Sequence, residues 1–220
     1  MKPFTYLFLL FISFPMIVAT YSTPALAQQM KENKELDVRV EKFLKSHRNQ
    51  WYDMNIPESD GKLLYDIIIK NDYKNAVEIG TSTGRSGIWI AWALSKTGGK
   101  LTTIEIDESR HNEAVKNFRE AGLADYIDAR LADAHELVPE LEGPIDFVFH
   151  DADKDWSTKY FTALDPKLAV GGCFTVHNVH RNYGYGGTHE FLQYVQKLPN
   201  YQTTVDESGA GVSISYKKSK

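Results

Sequence analysis

One stretch constrains this chain more than any other: residues 75–86, NAVEIGTSTGRS. Ala76, Val77 and Ile79 form a short apolar run, the pattern of a parallel strand buried on both faces. The run breaks at Gly80-Thr81-Ser82-Thr83-Gly84, and residues 86–95 beyond it predict a helix. A strand, a glycine turn and a helix N-terminus make a cradle where backbone N–H groups meet a ligand. Gly80 permits a tight turn and a close approach that a Cβ would block. Glu78 separates this turn from a phosphate cradle. A carboxylate just ahead of the turn repels pyrophosphate and suits a cationic or hydroxyl-bearing ligand.

Residues 101–106 predict the next strand, which runs into Glu105-Ile106-Asp107. An acid at the tip of the second strand, about 25 residues after Gly80, is placed to accept two ribose hydroxyls. The plain alternative is a Rossmann-like turn with no nucleoside. Further strands are predicted at 127–131, 145–149 and 172–176, with helices at 108–121, 134–141 and 155–164 between them. Such alternation demands crossover connections and a parallel sheet covered on both faces. A helix near 188–197 and strands at 201–205 and 212–216, joined by a turn at 206–211, complete the pattern. The predicted fold class is α/β: a Rossmann-like, doubly wound, mostly parallel sheet with an antiparallel C-terminal hairpin.

Upstream, Leu36, Val40, Phe43 and Leu44 share one face of a helix within 30–44, with Val38 off the stripe. That helix is expected to lie on the domain or on a partner subunit, which allows a homodimer. Ser59 or Asp60 is expected to cap a helix over 62–70. The first 27 residues differ in kind: Lys2, a mostly apolar run broken by Pro15, and Ala25-Leu26-Ala27 with small residues where a signal peptidase reads. They predict a cleaved secretory signal, a mature chain from Gln28, and an exported protein. The membrane would be met only through that segment if it stayed uncleaved. The expected organisation is 1–27 signal, 28–53 helical segment and 54–220 main domain. Twenty-five basic against 29 acidic residues, net −4, with no basic run beyond Lys217-Lys218, exclude a nucleic-acid footprint. Cys173 is the sole cysteine, so the fold stands without an internal disulfide.

In doubly wound sheets, ligands bind beyond the carboxyl ends of the strands. Gly80-Thr81-Ser82 follows strand one, Glu105 ends strand two, and Asp133-Ala134 follows strand three. His150-Asp151-Ala152-Asp153-Lys154-Asp155 follows strand four, and His177-Asn178-Val179-His180-Arg181-Asn182 follows strand five. At these residues the chain resembles a class I S-adenosylmethionine-dependent O-methyltransferase of the divalent-metal type, the group of catechol and caffeoyl-CoA O-methyltransferases. Glu78-Ile79-Gly80 with Gly84 and Ser86 is similar to that family's first motif, and residues 147–155, FVFHDADKD, to its strand-four signature. Val170-Gly171-Gly172 followed by His177-Asn178-Val179 resembles its strand-five end, and the likeness covers about 54–216.

The resemblance implies that Glu78, Gly80, Thr81 and Ser86 hold the methionine end of S-adenosylmethionine. Glu105 would take the ribose hydroxyls, Asp133 and Ala134 would border the adenine, and Asp153 and Tyr160 would also touch the cofactor. Asp151 would be the first metal ligand and Asn178 the last, Lys154 the base beside the acceptor hydroxyl, and Asn182 a substrate contact. Met54, Ser59 and Gly61 match the family's lid-side segment in outline, with Ile56 where a threonine is common. The family's middle ligand is an aspartate, and here His177 stands in its place. A neutral nitrogen donor leans the set away from Mg²⁺ and toward Mn²⁺, Fe²⁺ or Zn²⁺; a strand-end histidine with no metal is the plain alternative. By strand alternation His150 is expected to point away from the site. The activity implied is methyl transfer to a hydroxyl of a small phenol or catechol-like acceptor. The alternative is an exported, non-catalytic relative that binds a nucleoside or small molecule. An NAD-dependent oxidoreductase and a metal hydrolase built on His150, Asp151, His177 and His180 are the remaining rivals.

Overall fold

The computed structural model describes residues 31–52 and 54–220, so the segment expected to be a signal lies outside the described residues. Seven strands form one sheet: β1 (Asn75–Ile79), β2 (Lys100–Glu105), β3 (Ile127–Leu131), β4 (Ile145–His150), β5 (Leu168–His177), β6 (Tyr201–Asp206) and β7 (Val212–Lys217). Their order is β3-β2-β1-β4-β5-β7-β6. Strands β1 to β5 pair in parallel, and β7 enters antiparallel between β5 and β6. The predicted α/β architecture is the one observed. The strand order reverses between β1 and β4, the switch point where a crevice opens beyond the strand ends.

Among the described residues the α-helices are α1 (Lys34–Ser46), α2 (Glu58–Asn71), α3 (Arg85–Thr97), α4 (Glu108–Ala121), α5 (Ala134–Glu140), α6 (Ser157–Leu164) and α7 (Thr188–Val195). Strand β4, IDFVFH, shows why the sheet needs cover on both sides. Val148 packs with Phe161, Phe174 and Phe191 on the face covered by α5, α6 and α7. Phe147 and Phe149 pack with Leu64, Ile68, Ile90 and Leu94 under α2 and α3. Helix α1 lies on the domain itself: Leu36, Val40 and Phe43 join Ile88, Ala114 and Phe118. Arg39 donates to the carbonyls of Arg119 (2.7 Å) and Glu120 (2.9 Å) at the C-terminus of α4, where unsatisfied carbonyls and the helix dipole favour a cation. Val38 is 64 % exposed.

Two expectations about element starts are corrected. Strand β5 begins at Leu168, not at residue 172. Gly171 has φ +88° and the β4–β5 register shifts between Ile145 and Phe147, so the glycine pair marks an irregularity inside the strand and not its start. Helix α2 begins at Glu58 behind Pro57, with no side-chain cap, so neither Ser59 nor Asp60 caps it. Asp60 sits within the first turn and turns inward, toward His177.

The ends of β1 and β4 meet at Gly80. Its φ is +95°, and a Cβ there would lie 2.8 Å from the backbone oxygen of Asp151. Gly80 N–H donates to Ile104 O at 3.0 Å, and Asp151 N–H donates to Ile79 O at 2.8 Å. Gly61 answers to packing as well, because a Cβ there would overlap the indole ring of Trp89. Gly61→Ala should therefore lower stability by about 1–3 kcal/mol through overpacking, and Trp89→Leu in the same chain should recover part of the loss. Urea unfolding of the single and double variants measures both; a fully stable Gly61→Ala protein would show that α2 and α3 can move apart freely.

Candidate functional site

Beyond the carboxyl ends of β1, β2, β3 and β4 lies a cavity of about 320 Å³. Gly80, Thr81, Ser82, Ser86, Glu105, Asp133, Ala134, Asp151, Asp153 and Tyr160 line it, with Met54, Ile106, Arg110 and His135. A larger groove of about 900 Å³ runs between α1, α2 and α3 over Tyr65, Trp89 and Trp92. It lies away from the strand ends, and none of the residues singled out by the strand-end pattern borders it.

Glu105 ties the first two βα turns together. Its Oε2 accepts Ser82 N–H at 2.7 Å, and its Oε1 accepts the N–H groups of Ile106 (3.1 Å) and Asp107 (3.0 Å). Glu78 sits one layer deeper. It is fully buried and does not line the cavity; Thr103 Oγ1 lies 2.5 Å from both Glu78 Oε2 and Thr81 Oγ1. The two acids thus lie at the same end of the sheet, Glu78 on the Thr103 and Thr81 hydroxyls and Glu105 on backbone N–H groups. Burial pushes the Glu78 carboxyl up to about 8, with Ser86 and Thr103 hydrogen bonds opposing and Asp151 and Glu105 adding to the rise. Its Oε1 is buried without a hydrogen-bond partner.

The far end of the cavity is aromatic. Asp133 caps α5 by accepting His135 N–H at 2.8 Å, and Ala134 is 9 % exposed. The His135 ring lies 3.9 Å from that of Trp156 and stacks on Tyr160 at 5.8 Å. Its Nδ1 and Nε2 reach Asp133 and Asp153, each at 3.3 Å. Burial, with Asp153 and Asp133 nearby, raises the Tyr160 phenol well above its ordinary value, so it stays a neutral donor.

Next to the cavity, Asp151 Oδ1 meets Lys154 Nζ at 2.5 Å and His177 Nδ1 at 3.1 Å. Burial works against ionisation of Asp151, but these two cations outweigh it and hold the carboxyl below its usual range. His177 Nε2 lies 3.0 Å from Asp60 Oδ2. Burial lowers the imidazole, yet the carboxylates of Asp151 and Asp60 on either side prevail and raise it to about 9. The 3.1 Å approach of Nδ1 to Asp151 is not along the N–H direction, which leaves that buried nitrogen without a hydrogen-bond partner. Asn178 follows in a left-handed conformation, φ +59°, one that asparagine tolerates. Among the described residues no group of three or more His, Cys, Asp or Glu side chains could hold an ion; an ion here would rest on Asp151, His177 and the Asn178 amide.

The other named residues fall outside this cluster. His150 is fully buried, with Nε2 3.0 Å from Ser157 Oγ, and burial together with Lys154 pushes it down to about 3. His180 stacks on Tyr183 at 4.3 Å and pairs with Glu207 at 3.5 Å. A hydrolase centre of His150, Asp151, His177 and His180 therefore does not assemble. Asn182 is exposed and does not line the cavity. The loop that follows it packs on the site's back: Cβ atoms at Gly186 and Gly187 would fall within 3 Å of Lys154 atoms. Met54 is 66 % exposed at the cavity mouth, Ile56 is core, and Ser59 donates to Asp60 at 3.2 Å. Sequence reasoning missed Asp60, which looks like a helix cap, and His135, which stands beside the flagged Asp133-Ala134 pair.

A family profile described as O-methyltransferase matches residues 26–184. A catechol O-methyltransferase of Niastella koreensis is 38% identical over 112 residues, 49% of this chain and 50% of that protein. Caffeoyl-CoA O-methyltransferase 1 of Eucalyptus globulus is 29% identical over 74% of this chain and 64% of its own length. The match thus spans between half and just under two thirds of these relatives. Among solved structures, the Streptomyces achromogenes O-methyltransferase TomG, in complex with SAM, superposes with a TM-score of 0.69 at 25% identity, over 87% of this chain and 93% of that one. A Bacillus cereus O-methyltransferase in complex with SAH gives the same score at 24% identity over 86% and 92%, a likeness of fold.

Glu78 carries a pH signature with a definite sign. Its pKa rises from 4.5 to about 8 on folding. The stability it contributes is therefore complete below pH 4.5 and is lost as pH rises toward 8. Glu78→Gln removes the titration and keeps the shape. The variant's melting temperature should gain on wild type progressively between pH 5 and 8 and stay level with it near pH 4; a constant offset across that range would refute the assignment.

Proposed function

The chain belongs to the O-methyltransferase family, and from that membership we propose that it moves a methyl group from S-adenosylmethionine to a hydroxyl of a small phenol or catechol-like acceptor, assisted by a divalent metal ion. The observation that carries this reading is the switch-point cavity in which the Gly80-Thr81-Ser82 turn and Glu105 adjoin Asp151, with Lys154 against that carboxylate. The names of the relatives support O-methyl transfer, and the neighbour in complex with SAM supports the choice of methyl donor. When bound, S-adenosylmethionine supplies an electrophilic methyl on a sulfonium, and a divalent ion supplies a Lewis acid that lowers the pKa of a coordinated hydroxyl.

The residues divide the work by position. Glu105 Oε2 accepts Ser82 N–H, and a carboxylate oxygen has a second lone pair for a ribose hydroxyl. Asp133 and Ala134 would border the base beside the flat rings of His135 and Tyr160, and Asp153 would meet the cofactor from the β4 side. Gly80, Thr81 and Ser86 would line the methionine end, over a Glu78 carboxyl that is mostly protonated at neutral pH. Asp151, His177 through Nδ1 and Asn178 fit an ion: the buried Nδ1 has no hydrogen-bond partner and lies 3.1 Å from Asp151 Oδ1. Lys154 would take the acceptor's proton, and Asn182 would contact the acceptor from its exposed loop. Alignment of acceptor oxygen, methyl and sulfur is the remaining requirement, supplied by positioning and local charge.

Ala25-Leu26-Ala27 after an apolar segment supports export with cleavage before Gln28; Edman sequencing of protein secreted by its native host should read Gln28 first, and Met1 there would sink the reading. The chain from Gln28, given labelled S-adenosylmethionine, catechol and Mn²⁺, should form a methylated catechol. Lys154→Ala should lower kcat about 100-fold or more while S-adenosylhomocysteine affinity, read by calorimetry, stays level. A fully active Lys154→Ala removes the lysine from its role, and absence of S-adenosylhomocysteine binding removes methyl transfer altogether.

A further inference from the structure

Asp60 occupies an odd place for a carboxylate. It lies in the first turn of α2, where an aspartate ordinarily faces water and the helix N-terminus, yet it is 1 % exposed. It contributes nothing to capping that helix. Its oxygens are instead held from three separate parts of the chain: Ser59 Oγ donates to Oδ1 at 3.2 Å, Ala210 N–H donates to Oδ2 at 3.0 Å, and His177 Nε2 meets Oδ2 at 3.0 Å. The turn between β6 and β7 presses on it so closely that a Cβ at Gly209 would overlap the carboxylate.

Of the two ring nitrogens only Nε2 has a carboxylate in hydrogen-bond geometry, so in the singly protonated ring that a metal ligand must be, the contact with Asp60 holds the hydrogen on Nε2. Nδ1 is then the lone-pair nitrogen, and it is the buried atom left without a hydrogen-bond partner beside Asp151. The geometry points to Asp60 as a positioning residue that fixes the tautomer and tilt of His177, so that Nδ1 serves as the nitrogen donor of a centre shared with Asp151 and Asn178. A carboxylate behind a ligating histidine orients the ring and strengthens it as a donor. The arrangement also conserves charge. A neutral imidazole in place of a carboxylate removes one negative charge from the ligand set, and Asp60 returns it one group further out. This inference rests on the metal-assisted reading above and adds the residue that makes a histidine workable there.

Calorimetry on the chain from Gln28 with MnCl₂, MgCl₂ and, separately, S-adenosylhomocysteine provides the test. Wild type should bind Mn²⁺ more tightly than Mg²⁺. Asp60→Asn should weaken Mn²⁺ binding about 10–100-fold and leave S-adenosylhomocysteine affinity unchanged. His177→Asp alone should lose ion binding, because it sets a second carboxylate against Asp60; His177→Asp with Asp60→Asn should regain it, now with Mg²⁺ preferred. In ¹⁵N-histidine spectra of wild type, Zn²⁺ should shift Nδ1 of His177 and leave Nε2 protonated. The inference is overturned by Asp60→Asn binding Mn²⁺ as wild type does, by a Zn²⁺ shift at Nε2, or by a wild type that binds no ion. In each of those cases, retained S-adenosylhomocysteine binding leaves the methyl-transfer reading standing, whereas loss of that binding with the ion results intact sinks that reading alone.

Discussion

Backbone contact between the end of β1 and the end of β4 governs the site. Asp151 N–H closes onto Ile79 O, and Gly80 turns away at positive φ directly under the Asp151 carbonyl. Any residue with a Cβ would push the two strand ends apart, because the obstacle is main chain and cannot swing aside. Two sets of groups are fixed by this one approach. The glycine turn and Glu105 lie on one side; Asp151, Lys154 and His177 lie on the other. The parallel pairing of β1 with both β2 and β4 makes the approach rigid.

The strand ends also gather buried acids, and each is reconciled with a low-dielectric setting differently. Glu78 pairs with no cation among the described residues and answers burial by holding its proton into the neutral range. Asp151 stays ionised because Lys154 and His177 flank it. Asp60 leans on the Ala210 amide and the far side of the same imidazole. His177 is thus shared between two carboxylates from elements far apart in sequence. Removing it would leave both carboxylates short of a partner, the circumstance in which a buried charge is most destabilising.

Much of this was legible in the residues, for reasons that differ from element to element. The parallel strands could be read because burial on both faces demands unbroken apolar runs, as in Phe147-Val148-Phe149, and the chemistry begins where each run stops. Glu105 and Asp151 stood at those stops. The start of β5 was obscured because Gly171 and Gly172 imitate a break while serving as an irregularity within a continuous strand. Asp60 was hidden for a deeper reason. A Ser-Asp pair at the start of a helical pattern is what local capping predicts, and the partner that overrides capping lies 117 residues away. His135 stands next to Asp133 and Ala134, but its contact with Trp156 and its stacking on Tyr160 depend on the packing of α5 against α6 and the turn before it. Gly61 matches a family segment by sequence, yet the bulk of Trp89 alone accounts for a glycine there.

The antiparallel hairpin at the sheet's edge invites dismissal as a structural afterthought. Yet Gly209 and Ala210 at its bend rest on Asp60, and through it on the histidine that closes β5. Drift in the length of that bend would be felt at the Asp151–His177 pair, although no residue of the bend lines the cavity. A graft that exchanged the bend without the residue ending β5 would leave Asp60 matched to only one of these two partners.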